Sequence, residues 1–125
     1  MPPVPGLAAS VTILVADADT AAELRSGDVP VLGTPRVVGM AEEAAVAAIA
    51  GELKPEETSV GMRVQLDHLA PSAVGAEVRA VATLEKVEGR RLTFTVSVND
   101  ERGLVAAGKV TRVIVDRERF LDKAR

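Results

Sequence analysis

Few side chains in this sequence are able to do chemistry, and they are widely spaced. Thr34 stands directly before Pro35, Glu42 and Glu43 sit side by side in an Ala/Val-rich stretch, and His68 is the single histidine of the chain. A carboxylate, an imidazole and a hydroxyl supply a base, a proton relay and an orienting group, the parts needed to activate water or to attack an acyl carbon. Each also has a plainer role. A Thr before Pro at a helix start is ordinarily a cap, a Glu in an early helical turn is favoured by the macrodipole, and an inward His is often a satisfied core residue.

The element that must position the two glutamates is a long helix within Gly33–Gly51. Pro35 loses no hydrogen bond in the first turn, the Thr34 hydroxyl is placed to cap an orphan N–H, and Gly51 marks the end. Val37, Val38, Ala41, Ala44, Ala45, Ala48 and Ile49 give it a wide apolar surface of small residues that a sheet can approach closely. Eight residues of straight helix rise about 12 Å, too far for Thr34 to touch Glu42. Thr34 must therefore lie on a folded-back loop, come from a second chain, or share a substrate with Glu42 without contact.

After the helix and a polar connector, KPEETSVG, the apolar period changes to two. Met62, Val64, Leu66 and His68 alternate with Arg63, Gln65 and Asp67, so His68 points inward. LAPSAVG ends that strand and EVRAVATLEKV resumes the alternation. Glu88 and Gly89 turn into RRLTFTVSVND, a half-buried strand with Leu92, Phe94, Val96 and Val98 on one face. In the last strand, LVAAGKVTRVIVD, Gly108 suggests a bulge, and Arg112 shares parity with the apolar Val110 and Ile114.

Upstream, residues 1–9 read as a loose Pro-rich lead-in, SVTILV as the first strand, Thr20–Ser26 as a short helix and SGDVPVLGTP as a loop. The tail DRERFLDKAR suggests a short terminal helix. Strand, long helix, then four strands joined by hairpin-like turns predict an α+β domain, an antiparallel sheet with its helices on one side. At 125 residues the chain fits one domain, 1–125.

Composition removes several function classes. Cysteine is absent, and the lone His has no HxH or HExxH spacing, so thiolate sites are excluded and no metal is expected. The net charge is −3 and the basic residues are scattered, which argues against nucleic acid. No run of roughly 20 apolar residues is present to span a membrane, and MPPVPGLAAS lacks a signal-peptide pattern, so the expected location is cytoplasmic. With no Trp or Tyr and two Phe, the core must be built from Val, Ala, Leu and Ile.

Taken together, VLGTPRVVGMAEEAAVAAI, VGMRVQLDHLAPSAVGAEV, LEKVEGRRLTFTVSVND and GKVTRVIVDRERF resemble the hotdog-fold acyl-CoA thioesterases related to fluoroacetyl-CoA thioesterase. The resemblance covers the chain from about Val31 onward. It implies a hotdog fold, with an antiparallel sheet wrapped around the central helix, and a catalytic Thr/Glu/His set falling on Thr34, Glu42 and His68. It chooses Glu42 over Glu43, and it places a substrate-binding Gly on Gly61 and an Arg on Arg112. In the loop before Thr34 the chain departs from the family, with SGDVPVLG standing where the fluoroacetyl enzyme carries a Phe-bearing lid.

The resemblance further implies acyl-CoA as substrate, with CoA entering only as part of it and no separate cofactor. It also implies a homodimer with active sites at the interface. Glu42 would act on the thioester carbonyl as nucleophile or as base on water, His68 would move protons, and Thr34 would orient Glu42 or water. Two other readings compete: an enoyl-CoA hydratase of the same fold, and a non-catalytic binder of acyl thioesters or small hydrophobes. Thiol release from acyl-CoA separates hydrolysis from both.

Overall fold

A computed structural model describes residues 2–125. The strands are β1 (Ala8–Leu14), β2 (Glu57–His68), β3 (Glu77–Glu88), β4 (Arg91–Asp100) and β5 (Gly103–Asp116). The helices are α1 (Thr34–Ala48) and α2 (Arg117–Asp122), with a 3-10 turn at Asp17–Asp19. The strands form a single antiparallel sheet in the order β1-β3-β4-β5-β2. Because α1 joins β1 at one edge to β2 at the other, it crosses the concave face, and the sheet curls around it.

The small side chains of α1 make this possible. Val37, Met40, Ala41, Ala44, Ala45 and Ala48 are all buried. They face the inward set of the sheet, which includes Val78, Ala80, Ala82, Leu84, Leu92, Phe94, Val96, Val98 and Val110. The alternation seen in the sequence thus becomes one core between helix and sheet, the α+β arrangement expected from the pattern. Among the described residues no helix is long and apolar enough to cross a membrane.

Six local expectations are corrected. The lead-in is not loose over residues 6–9: Gly6 donates to the Leu84 carbonyl at 2.8 Å, Leu84 donates to the Leu7 carbonyl at 2.7 Å, and β1 begins at Ala8. Met1 lies outside the described residues. Thr20–Ser26 is a series of turns rather than a helix. Its backbone bonds a returning segment instead, Ala21 N–H to the Val31 carbonyl at 2.8 Å and Ala22 N–H to that of Val29 at 3.1 Å. Arg25, at φ 60°, also breaks helical geometry there.

The polar connector is shorter than its composition suggests, since β2 starts at Glu57 and its first residues pair with the end of β5. LAPSAVG does not make a hairpin, because β2 pairs with β5 while β3 pairs with β1 and β4. It carries the chain across the end of the sheet. Finally, Gly108 is paired in register with Leu66 and Val96, without a bulge. A Cβ at Gly108 would collide with the Gln65 carbonyl oxygen and come within 2.8 Å of Leu66 Cα. This glycine serves a close backbone approach.

The bulge lies on the facing strand instead. Register along β2 shifts between Gly61 and Arg63, leaving Met62 as the extra residue and 50% exposed. Before the bulge Ser59 and Gly61 stand opposite Ile114 and Arg112; after it Val64, Leu66 and His68 stand opposite Val110, Gly108 and Ala106. Directly opposed residues share a face of the sheet. One inserted residue therefore switches the inward set from odd to even numbers. The inward parity read for His68 holds, and that of Met62 does not.

Candidate active site

Two polar clusters form along the concave face, and they contain all five sequence-predicted residues. The first joins the start of α1 to the end of β2. Gly33, not Thr34, is the N-cap: its carbonyl accepts from Arg36 N–H at 3.0 Å and Val37 N–H at 3.2 Å. Thr34 is the first helical residue. The hydroxyl turns instead to His68, with Oγ1 and Nδ1 2.8 Å apart. The other ring nitrogen, Nε2, is buried and without a partner among the described residues.

Backbone pairing holds this cluster in place. Gly33 N–H donates to the Asp19 carbonyl at 2.9 Å, and Leu32 N–H donates to that of Ser72 at 2.8 Å. A Cβ on Gly33 would come within 3.0 Å of Ala21 backbone atoms, so glycine allows the strap from Val15 to Leu32 to close against the helix start. Arg36 fastens the same strap, its Nε to Asp19 at 3.1 Å and its Nη1 to Glu43 at 3.0 Å. Glu43 is thus the structural, solvated member of the glutamate pair.

The second cluster lies farther along α1, and it is built on Arg112. This side chain is buried beneath the helix. Its Nη1 donates to Glu42 Oε2 at 2.9 Å, its Nε to Ser59 Oγ at 2.9 Å, and its Nη2 to the Ser59 carbonyl at 2.9 Å. Burial pulls the Arg112 guanidinium below its ordinary value, while the Glu42 charge and hydrogen bond act in the opposite direction. An arginine remains a cation at any physiological pH.

Gly61 completes the arrangement. A Cβ there would overlap Glu42 Oε2 and lie 3.5 Å from Arg112 Nη1, so the missing side chain makes room for the carboxylate. Glu42 opens onto a cavity of about 420 Å3 lined by Gly39, Glu43, Val46, Ala47 and Arg112. Thr34 and His68 open onto a separate one of about 320 Å3. Ser59 was missed in the sequence because it lies in the segment read as a connector. The signal available for it was its parity with Gly61.

Thr34 belongs to the helix itself, which removes the folded-back loop as a way to reach Glu42. Within one chain the two clusters stand about two helical turns apart. The open edge of the sheet runs past both, because β2 has no neighbour on its outer side. Exposed apolar residues flank that edge, namely Val46, Met62 and Leu69.

A small-residue helix wrapped by a five-stranded antiparallel sheet, with polar groups along the helix and the free edge strand, is the architecture of the hotdog thioesterases. The structure superposes on a thioesterase superfamily member from Thermus thermophilus with a TM-score of 0.92 and 32% identity, over 100% of this chain and 93% of that one. It superposes equally, at 0.92 and 30% identity, on a threonine-to-serine variant of a fluoroacetyl-CoA thioesterase in complex with acetyl-CoA, over 98% of this chain and 96% of that one. Residues 15–118 match the family described as fluoroacetyl-CoA-specific thioesterase. The fluoroacetyl-CoA thioesterase of Streptantibioticus cattleyicolor is 37% identical over 95 residues, 76% of this chain and 68% of that protein. The chain belongs to this family, and with it to the enzymes that hydrolyse acyl-CoA thioesters.

Proposed function

We propose that hydrolysis is carried by Thr34, Glu42 and His68, in a site shared between two copies of the chain. The observation that carries this reading is the 2.8 Å contact between Thr34 and His68, two groups 34 residues apart that meet at the helix start. Glu42 acts on the thioester carbonyl as nucleophile or as base on water, His68 moves protons and Thr34 orients the reacting group. The N-terminus of α1 beside Thr34 offers the positive end of its dipole to the developing oxyanion. Gly61 admits the carboxylate and Arg112 fixes its direction. No cofactor is required beyond the CoA of the substrate.

The lie of the edge strand supports a shared site. If two β2 strands pair antiparallel about a twofold axis, the His68 end of one runs beside the Gly61 end of the other. Thr34 and His68 of one protomer then approach Glu42 and Arg112 of its partner. Exposed Val46, Met62 and Leu69 support such a homodimer, since each is an apolar cost to a lone subunit. On this reading the enzyme works in the cytoplasm, beside the reactions that make acyl-CoA.

The test is thiol release from a set of acyl-CoAs by the wild type and by Glu42→Gln and His68→Ala. Each variant is expected to keep its fold and lose hydrolysis. Undiminished turnover in either removes that residue from the mechanism.

A further inference from the structure

We infer that Ser59 is a positioning residue for hydrolysis, holding the Arg112 guanidinium so that it directs the Glu42 carboxylate. The inference rests on the reading that Glu42 acts on the thioester. A guanidinium presents its Nε–H and one Nη2–H side by side along one edge of a rigid plane. Both acceptors on that edge belong to Ser59: Oγ lies 2.9 Å from Nε, and the main-chain carbonyl 2.9 Å from Nη2. Two bonds to one residue fix the plane, and Nη1 on the other side is left facing Glu42 Oε2 at 2.9 Å. With the carbonyl bond alone, the guanidinium is free to pivot.

Ser59 is itself firmly held. On β2 it pairs with Ile114, while Gly61, two positions on, pairs with Arg112. The Arg112 side chain therefore runs diagonally from its own partner to Ser59. Arg90 ties the same region from the turn between β3 and β4. Its carbonyl accepts from Ile114 N–H at 2.8 Å, its Nε donates to the Ile114 carbonyl at 3.0 Å, and its Nη2 meets Glu57 at 3.0 Å. This bracing keeps the two Ser59 acceptors fixed relative to β5, the strand that carries Arg112.

The residue type at this position points to the same role. Ser59 shares the inward face with Ile114 and Arg112, both buried, and packing alone there calls for an apolar side chain. Val64 and Leu66 fill the inward positions of β2 just beyond the bulge. Serine supplies instead a small acceptor for an N–H of a buried cation, and leaving that N–H unpaired is costly. Without the hydroxyl, the guanidinium regains a partner only by turning, and Nη1 turns with it away from Glu42. The bulge at Met62 is what lets Ser59 and His68 both face inward from one strand.

The experiment measures kcat and KM separately on the full-length protein, with whichever of acetyl-, butyryl- and hexanoyl-CoA the wild type hydrolyses fastest. Ser59→Ala, which keeps the carbonyl bond and loses the hydroxyl, should lower kcat about tenfold at unchanged KM. Ser59→Thr restores the hydroxyl and should return kcat to within about threefold of the wild type. Lysine has carbon where arginine has Nε, so in an Arg112→Lys background Ser59→Ala should change kcat by no more than about twofold. Wild-type kcat in Ser59→Ala, a loss that appears in KM instead, or Ser59→Thr as slow as Ser59→Ala would each overturn the inference. A further drop of about tenfold on top of Arg112→Lys would overturn it too, because the hydroxyl would then act without the guanidinium. Undiminished turnover in Glu42→Gln, or none in the wild type, would instead overturn the catalytic reading, and the inference with it.

Discussion

Gly61 and Glu42 are matched in space: the carboxylate oxygen Oε2 of Glu42 lies so close over Gly61 that a Cβ at position 61 would overlap it. A strand glycine normally weakens its sheet. Here it sits opposite Arg112 on β5 and next to the β2 bulge, so the absent side chain and the inserted residue together shape the floor beneath the glutamate.

Gly61→Ala is therefore expected to displace Glu42 rather than unfold the protein, since the overlap is with the far end of a flexible side chain. Loss of the Arg112 contact by an ångström or more should lower kcat/KM by about a hundredfold. The melting temperature should stay close to that of the wild type. A steady-state assay beside a thermal melt checks both, and wild-type turnover would show that the position of Glu42 over Gly61 has no part in catalysis.

Arg112 supplies the second test. Arg112→Lys retains the charge, but an ammonium on a flexible stem does not reproduce the planar fork that meets Glu42 and both acceptors of Ser59. Turnover should fall with little change in KM. Arg112→Met should also destabilise the fold by about 1–2 kcal/mol, less than a fully buried orphan charge costs, because the Glu42 side chain is 35% exposed and is able to turn to water. Chemical denaturation of the two variants separates these effects.

Much of this geometry was legible in residue spacing. The helix declared itself through Pro35 and its Ala/Val face, and period-two alternation put His68 and Arg112 inside. What spacing did not carry were features set by tertiary contact. The bulge at Met62 is adjusted by the strand facing it, so simple parity misplaced that one residue. The Thr34 hydroxyl had an apparent local partner in the helix N-terminus, and a residue 34 positions away took it. Ser59 was hidden because ETS is too polar to read as strand, although Arg90 holds Glu57 at 3.0 Å and Ser59 meets Arg112. At Gly108 the sequence suggested a bulge, whereas the glycine serves the close approach of the Gln65 carbonyl, a contact between strands that spacing does not carry.

A shared site makes a prediction that a site within one chain does not. Thr34→Ala and Glu42→Gln are each expected to be inactive as homodimers. When the two are unfolded together and refolded as a mixture, half the dimers should be mixed. If Thr34 and Glu42 of different protomers meet, each mixed dimer has one site free of either lesion. The mixture should then recover about a quarter of wild-type activity. A mixture as inactive as its components would place both residues of each working site in the same chain.

The last prediction concerns the joint between β2 and β5. Gly108 lies where the two backbones approach so closely that a Cβ would run into the Gln65 carbonyl, an atom of the ladder itself. Unlike the Glu42 side chain above Gly61, backbone has no alternative rotamer to adopt. Gly108→Ala should therefore part β2 from β5 around Leu66 and cost about 3 kcal/mol, a magnitude typical of forced backbone displacement in a core. Since His68 lies two residues beyond Leu66, its contact with Thr34 should loosen as well. The expected result is a lower denaturation midpoint together with reduced kcat/KM, whereas Gly61→Ala loses activity at nearly constant stability. An alanine at 108 that leaves both quantities unchanged would show that the β2–β5 ladder relaxes without consequence for the site.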